Sequence, residues 1–254
     1  MKLLTRMMSL RRCRADASRS RVTAMNDPQE YYLKGYAVRA FRSDHTLEAL
    51  NRRLCEVQSG ALRPGFVWEV KYKNTRDLRP SVFEYDDVFV DILIRNDIPS
   101  LLRRVTGLDL TLAHIQLRQT FPGKSYMDWH RDTHFHNGKV TGNLPPVHKL
   151  IFYPRAGTPS RPKLAVIPGS HRRMFNNRWR DLAAVVTDGT RATISSSDDG
   201  YILFDTSLQH AVIPETDPGG SLRVIWEFCR DFQLETFGRN HSLPDSYRAR
   251  AARG

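Results

Sequence analysis

"LDLTLAHIQLRQTF", residues 108–121, alternates apolar and polar side chains. In an extended chain successive side chains leave opposite faces, so this period of two predicts a strand. One face offers Leu110, Leu112, His114, Gln116, Arg118 and Thr120; the other offers Ala113, Ile115, Leu117 and Phe121. Gln116 and Arg118 would suit a solvent-facing edge strand, but within a β-rich region they also suit a wet, functional interior. Downstream, "HKLIFYP", "KLAVIPG", "GYILFDT" and "SLRVIWEFC" read as further short strands, punctuated by turns such as "RAGTPSRP" and "ETDPGGS". Upstream, "SDHTLEALNRRLCEV" opens on Ser43 and Asp44 and spaces Leu47, Leu50, Leu54 and Val57 along one helix face. "FVWEVKY" alternates like a strand, "YDDVFVDILI" favours a helix, and "DIPSLLRRVTG" reads as a short helix from Asp97 and Pro99 to Gly107. Helices followed by many short strands predict a mainly β fold, a sandwich or barrel braced by flanking helices.

The bulk properties set the frame. The chain has 254 residues, 40% apolar and 26% charged, which suits one globular domain or at most two. No run of eighteen apolar residues exists, so no membrane span is expected. Cys13, Cys55 and Cys229 lie far apart without CxxC spacing, which predicts free thiols in a reducing, cytoplasmic setting. The net charge of +12 suggests nucleic acid at first sight. Its distribution argues otherwise: the first 24 residues carry seven cations against Asp16 alone, and Arg248, Arg250 and Arg253 load the far end. Basic ends are usually solvated arms. We therefore expect a basic arm or targeting segment over 1–25, one domain over 26–235 and a basic tail over 236–254. The arm fits either a mitochondrial-type transit peptide or an over-long start preceding Met25.

"YMDWHRDTHFHNG", residues 126–138, concentrates the metal-binding side chains. His130 and Asp132 stand two apart, so an extended backbone presents both on one face. The best-placed third ligand is His210, just past the strand "GYILFDT". Two histidines and one carboxylate on one face of an octahedral ion leave three places open, the arrangement of non-haem Fe(II) oxygenases. A distal cosubstrate carboxylate needs a cation, and Arg223 on "SLRVIWEF" can grip it with two parallel hydrogen bonds. Ile225 and Glu227 share its face; Leu222, Val224 and Trp226 point the other way.

The runs "WHRDTHF", "LAVIPGSHRR" and "GYILFDTSLQHAVIPE", with Arg223 beyond, resemble the phytanoyl-CoA dioxygenase family of Fe(II)/2-oxoglutarate oxygenases. "YYLKGYAVRAFRSDHTLEAL" is similar to the family's opening strand and helix. The resemblance spans roughly residues 30–230. It implies a double-stranded β-helix (jelly-roll, cupin-like) core and iron ligation by His130, Asp132 and His210. It implies 2-oxoglutarate capture by Arg223, and hydroxylation of a small molecule by O2 with release of succinate and CO2; ascorbate is a candidate stimulant. "PSRPKLAVIPGSH", with Arg161 and Lys163, and "HNGKVTGNLPPVH" depart from the family, so its substrates do not carry over.

Other assignments compete. His171 is a rival third ligand, although Pro168 and Gly169 mark it more simply as part of a turn. His134 and His136 suggest a cupin-type HxH, but the flanking Gly and Glu of that pattern are missing. His148, after Pro145 and Pro146, should be partly exposed. Gln116 and Arg118 are candidates for the cosubstrate C1 carboxylate or the substrate, and Lys149 is the runner-up cation for 2-oxoglutarate. A nucleic-acid oxygenase is disfavoured, because such enzymes resemble H…R-x5-R and Cys229 stands where the second Arg belongs. A non-catalytic jelly-roll metal-binding protein is the remaining alternative. Deleting residues 1–24 should leave activity and melting temperature nearly unchanged, because an Arg/Ser segment buries little apolar area; a large drop in thermal melting would show that it docks on the body.

Overall fold

Strand Ser221–Cys229 is the spine of the molecule, hydrogen-bonded on both sides and loaded on both faces. The computed structural model describes residues 28–123, 127–132, 135–136, 139–140, 147–154, 164–173, 180–181, 183 and 190–233. The basic arm, the tail, Arg161, Lys163, His134 and the His136 side chain lie outside the described residues. In chain order the elements are α1 (Pro28–Lys34), β1 (Tyr36–Ala40), α2 (His45–Gln58), β2 (Val67–Tyr72), β3 (Thr75–Arg79), α3 (Val82–Tyr85), α4 (Val88–Arg95), α5 (Ile98–Thr106) and β4 (Thr111–Thr120). They continue with β5 (Phe135–His136), β6 (Lys139–Val140), β7 (His148–Phe152), β8 (Leu164–Val166), β9 (Ala192–Ile194), β10 (Gly200–Asp205), β11 (His210–Val212) and β12 (Ser221–Cys229). Seven strands form one antiparallel sheet in the order β1-β10-β7-β12-β4-β3-β2, and β11-β8-β9 form a smaller one. Two sheets enclosing one lumen make the jelly roll. No described helix is long and apolar enough to cross a membrane.

Alternation assigns each face of the large sheet a different task. Outward residues Leu117, Leu150, Phe152, Val224 and Trp226 pack with α2 and α4 in the main core. The Trp226 indole N–H donates to the Phe89 carbonyl at 2.7 Å, fastening α4 to β12. Inward residues Ile151, Ile202, Phe204 and Ile225 pack with Leu164, Val166 and Ile194 of the small sheet. α2 starts where the Asp44 carboxylate accepts from the Thr46 and Leu47 amides, satisfying donors that a helix start leaves open. α5 stops at Gly107, whose φ of 69° suits a residue without Cβ.

Two expectations need correcting. The alternation predicted through Leu112 breaks at a bulge: Glu227 pairs with His114, but Phe228 pairs with Leu112. Ala113 is the extra residue, so Leu112 joins the helix-side core instead of the polar face. His148 is buried rather than partly exposed, because the Tyr31 ring of α1 packs against it and the Tyr31 hydroxyl lies 2.7 Å from His148 Nδ1. Burial holds the His148 pKa below 6.5; Asp205 opposes the shift and His171 adds to it. The unfolded chain then takes the proton first as pH falls, so this contribution is present above about 6.5 and lost below it. We expect urea midpoints to fall between about pH 7.5 and about pH 5.5, and His148→Phe to flatten part of that slope. An unchanged slope would place the acid sensitivity elsewhere.

Candidate metal centre

His130 and His210 face each other across an isolated antiparallel bridge. The His130 amide donates to the His210 carbonyl at 2.9 Å, and the reverse bond measures 3.0 Å. Two residues on, the Asp132 amide donates to the Thr206 carbonyl at 3.0 Å. The i, i+2 spacing then brings both side chains to the same face, as predicted. Among the described residues, His130, Asp132 and His210 form the group able to hold a metal, with ligand atoms all within 4.8 Å of one another. His130 Nε2 lies 3.3 Å from Asp132 Oδ1, and His210 Nε2 lies 3.6 Å from Asp132 Oδ2.

The ring orientations suit a metal. His130 Nδ1 is 2.5 Å from the Asp128 carbonyl and His210 Nδ1 is 2.8 Å from the Leu208 carbonyl. A carbonyl only accepts, so each Nδ1 carries the proton and each Nε2 turns its lone pair to the centre. His130 Nε2 is buried without a hydrogen bond. Burial, with His130 adding and Asp132 opposing, pushes the His210 pKa down to about 4, so its imidazole is neutral. Burial alone would raise the Asp132 pKa, but Lys149, His210 and His130 hold it well below the carboxylate range. Two lone pairs and a carboxylate converging on one point call for a cation, and these donors fit Fe(II).

The other predicted residues lie along the same sheet face. Lys149 sits 2.7 Å from Asp132 Oδ2 and 3.0 Å from Glu227 Oε1, beside the triad. Gln116 pairs with Ile225 in the middle of the face. Arg118 and Arg223 are directly opposed on β4 and β12, and both are buried. Arg118 makes a two-pronged bond to Asp77 of β3, at 2.6 and 2.8 Å. Burial, together with Arg118 and against Asp77, pushes the Arg223 pKa down to about 9, leaving it charged and suited to an anion. β4 lies between β12 and β3, so Gln116 and Arg118 are not on an edge strand. His171 is outside the triad; its Nε2 contacts the Tyr32 carbonyl at 2.9 Å.

Asp77 and Asp181 escaped the sequence reading. "TRDLR" carries three charges and little β signal, and Asp181 lies far in sequence from every residue it binds.

No family model and no curated protein matches the chain. Solved structures share its fold. HygX from Streptomyces hygroscopicus, with nickel and 2-oxoglutarate bound, is 16% identical at a TM-score of 0.55, covering 80% of this chain and 85% of its own. SnoK, a non-heme alpha-ketoglutarate-dependent carbocyclase from nogalamycin biosynthesis, is 13% identical at 0.61, covering 82% and 84%. EctD from S. alaskensis, with bound Fe, is 18% identical at 0.57, covering 80% and 75%. The chain thus has the fold of the Fe/2-oxoglutarate oxygenases.

Removing Asp77 would leave two buried guanidinia face to face. Breaking a buried pair from one side typically costs about 3–5 kcal/mol. Asp77→Ala should lower unfolding stability by about that amount in urea titrations, and a loss below about 1 kcal/mol would mean the pair is solvated.

Proposed function

We propose that the chain is an Fe(II)- and 2-oxoglutarate-dependent dioxygenase that hydroxylates a small organic molecule, releasing succinate and CO2, as in the phytanoyl-CoA dioxygenase family. The observation that carries this is the bridged His130–Asp132–His210 group, whose two Nε2 atoms and carboxylate converge inside a jelly roll. When bound, iron and 2-oxoglutarate together turn dioxygen into an oxidant strong enough to attack a C–H bond.

The chain's own groups have separate tasks. His130, Asp132 and His210 would hold the metal, and three protein ligands would leave places for the cosubstrate. Lys149 binds Asp132 Oδ2 and holds the carboxylate that would ligate the metal in place. Arg223 binds the C5 carboxylate of 2-oxoglutarate, with Arg118 fixed beside it by Asp77. Gln116 lies between these ends and is placed to orient the cosubstrate or substrate. Ile151, Ile202 and Ile225 keep the floor apolar and exclude water. Asp132 favours hydroxylation over halogenation, because it fills the ligand place that a halide would need.

The test is an anaerobic titration of 2-oxoglutarate into the Fe(II) protein, followed by the metal-to-ligand charge-transfer band, with succinate release measured in air. Asp132→Ala and His210→Ala should abolish both signals. Persistence in His210→Ala with loss in His171→Ala would reassign the third ligand. Arg223→Leu removes a desolvated two-pronged contact worth on the order of 2–5 kcal/mol. Its 2-oxoglutarate affinity should drop roughly 30- to 5,000-fold, with Arg223→Lys intermediate. If affinity instead survives Arg223→Leu and collapses in Lys149→Ala, the cosubstrate lies along β7.

A further inference from the structure

We propose that Asp181 is a positioning residue that clamps the two ligand-bearing segments to each other from behind the metal centre. This rests on His130, Asp132 and His210 being the ligands. Arg131 lies between His130 and Asp132, and Gln209 immediately precedes His210. Neighbours along an extended chain point to opposite faces. The ligands therefore face the lumen, while Arg131 and Gln209 face away from it.

Both backward-facing side chains end on the same carboxylate. Arg131 Nε and a terminal guanidinium nitrogen donate to Asp181 Oδ2 and Oδ1 at 2.7 and 2.9 Å. Gln209 Nε2 donates to Oδ2 at 2.5 Å. The ion-pair side chains are 0% and 1% exposed. The rest of the Arg131 guanidinium donates to the carbonyls of Ser170 and Arg173, each at 2.8 Å, and of Ser207. The Gln209 amide donates to Ser170 Oγ at 2.8 Å.

The backbone bridge fixes the spacing of the segments but permits each to roll about its own axis. A roll swings the imidazoles, whereas metal–ligand distances in real sites stay within about 0.2 Å of standard values. The common carboxylate couples the roll of one segment to that of the other. A buried ion pair is a poor source of net stability, so a geometric role explains the pair better than an energetic one. Groups that orient metal ligands typically change metal affinity 10- to 100-fold when removed.

The experiment titrates Co(II) into the full chain under nitrogen and follows both affinity and the d–d absorption envelope. Gln209→Leu removes one neutral arm of the clamp and leaves the ion pair, so it should fold; Asp181→Asn weakens both arms. We expect Gln209→Leu to bind Co(II) about tenfold more weakly, and Asp181→Asn up to about 100-fold, with altered d–d bands. Arg131→Lys should fall between wild type and Asp181→Asn, because it keeps the charge and loses the fork. Melting of the metal-free chain separates a general loss of stability from a change at the centre. Wild-type affinity and an unchanged spectrum in Gln209→Leu would overturn the clamp, whatever happens to the melting temperature. If the wild type itself shows no Co(II) binding dependent on Asp132, the ligand assignment fails and the clamp falls with it.

Discussion

The reciprocal backbone bonds between His130 and His210 are the constraint on which the centre depends. They join segments far apart in sequence at the two positions that bear the imidazoles. The bond from the Asp132 amide to the Thr206 carbonyl ties the two segments together a second time. The rings themselves are aimed by carbonyls two residues before each histidine, Asp128 and Leu208. Spacing is thus set by backbone–backbone bonds, and tautomer by the bond from each ring to a carbonyl two residues before it. The cost is that a slip by one residue would turn the two imidazoles out of the lumen.

β12 carries the same logic across the large sheet. Leu222, Val224, Trp226 and Phe228 commit one face to the helices, and Arg223, Ile225 and Glu227 stand on the other. Stability and chemistry therefore share one register. Any repacking that shifted Trp226 against Phe89 would also move Arg223 relative to the triad. Pairing with β4 on one side and β7 on the other leaves little freedom for such a shift.

Periodicity carried much of the fold in the sequence, because strands buried on one face must alternate and helices on one face must repeat near 3.6. Leu47, Leu50, Leu54 and Val57 declared α2, and Arg223, Ile225 and Glu227 declared the lumen side of β12. The convergence of His130 and Asp132 has the same origin, since i, i+2 on extended backbone is a local geometric fact. Long-range pairing was not legible. Asp77 reaches Arg118 only through the register of β3 on β4, and Asp181 reaches Arg131 and Gln209 through folding alone. The bulge at Ala113 was hidden too, because nothing in "LTLAHIQ" says that one residue will be skipped by the partner strand. His148 shows how a neighbouring Pro-Pro step can suggest exposure that packing against a distant side chain, Tyr31, removes.

The two charged groups of the lumen are complementary, and this explains the placement of Lys149. At one end Asp132, Lys149 and Glu227 combine two carboxylates with one ammonium, a net negative cluster. At the other, Asp77, Arg118 and Arg223 combine one carboxylate with two guanidinia, a net positive cluster. Glu227 and Arg223 are four residues apart on β12, about 13 Å along a strand, with Ile225 between them. A face negative at one end and positive at the other would suit a ligand pair of opposite polarity, a metal cation at the first and a carboxylate at the second. Lys149 belongs to the negative end, where two acids satisfy its charge. Bringing it to an anion near Arg223 would strip Asp132 and Glu227 of their shared cation within a buried lumen, where unpaired charge is most costly. That argues for Arg223 as the C5 carboxylate ligand on electrostatic grounds, independently of any resemblance in sequence.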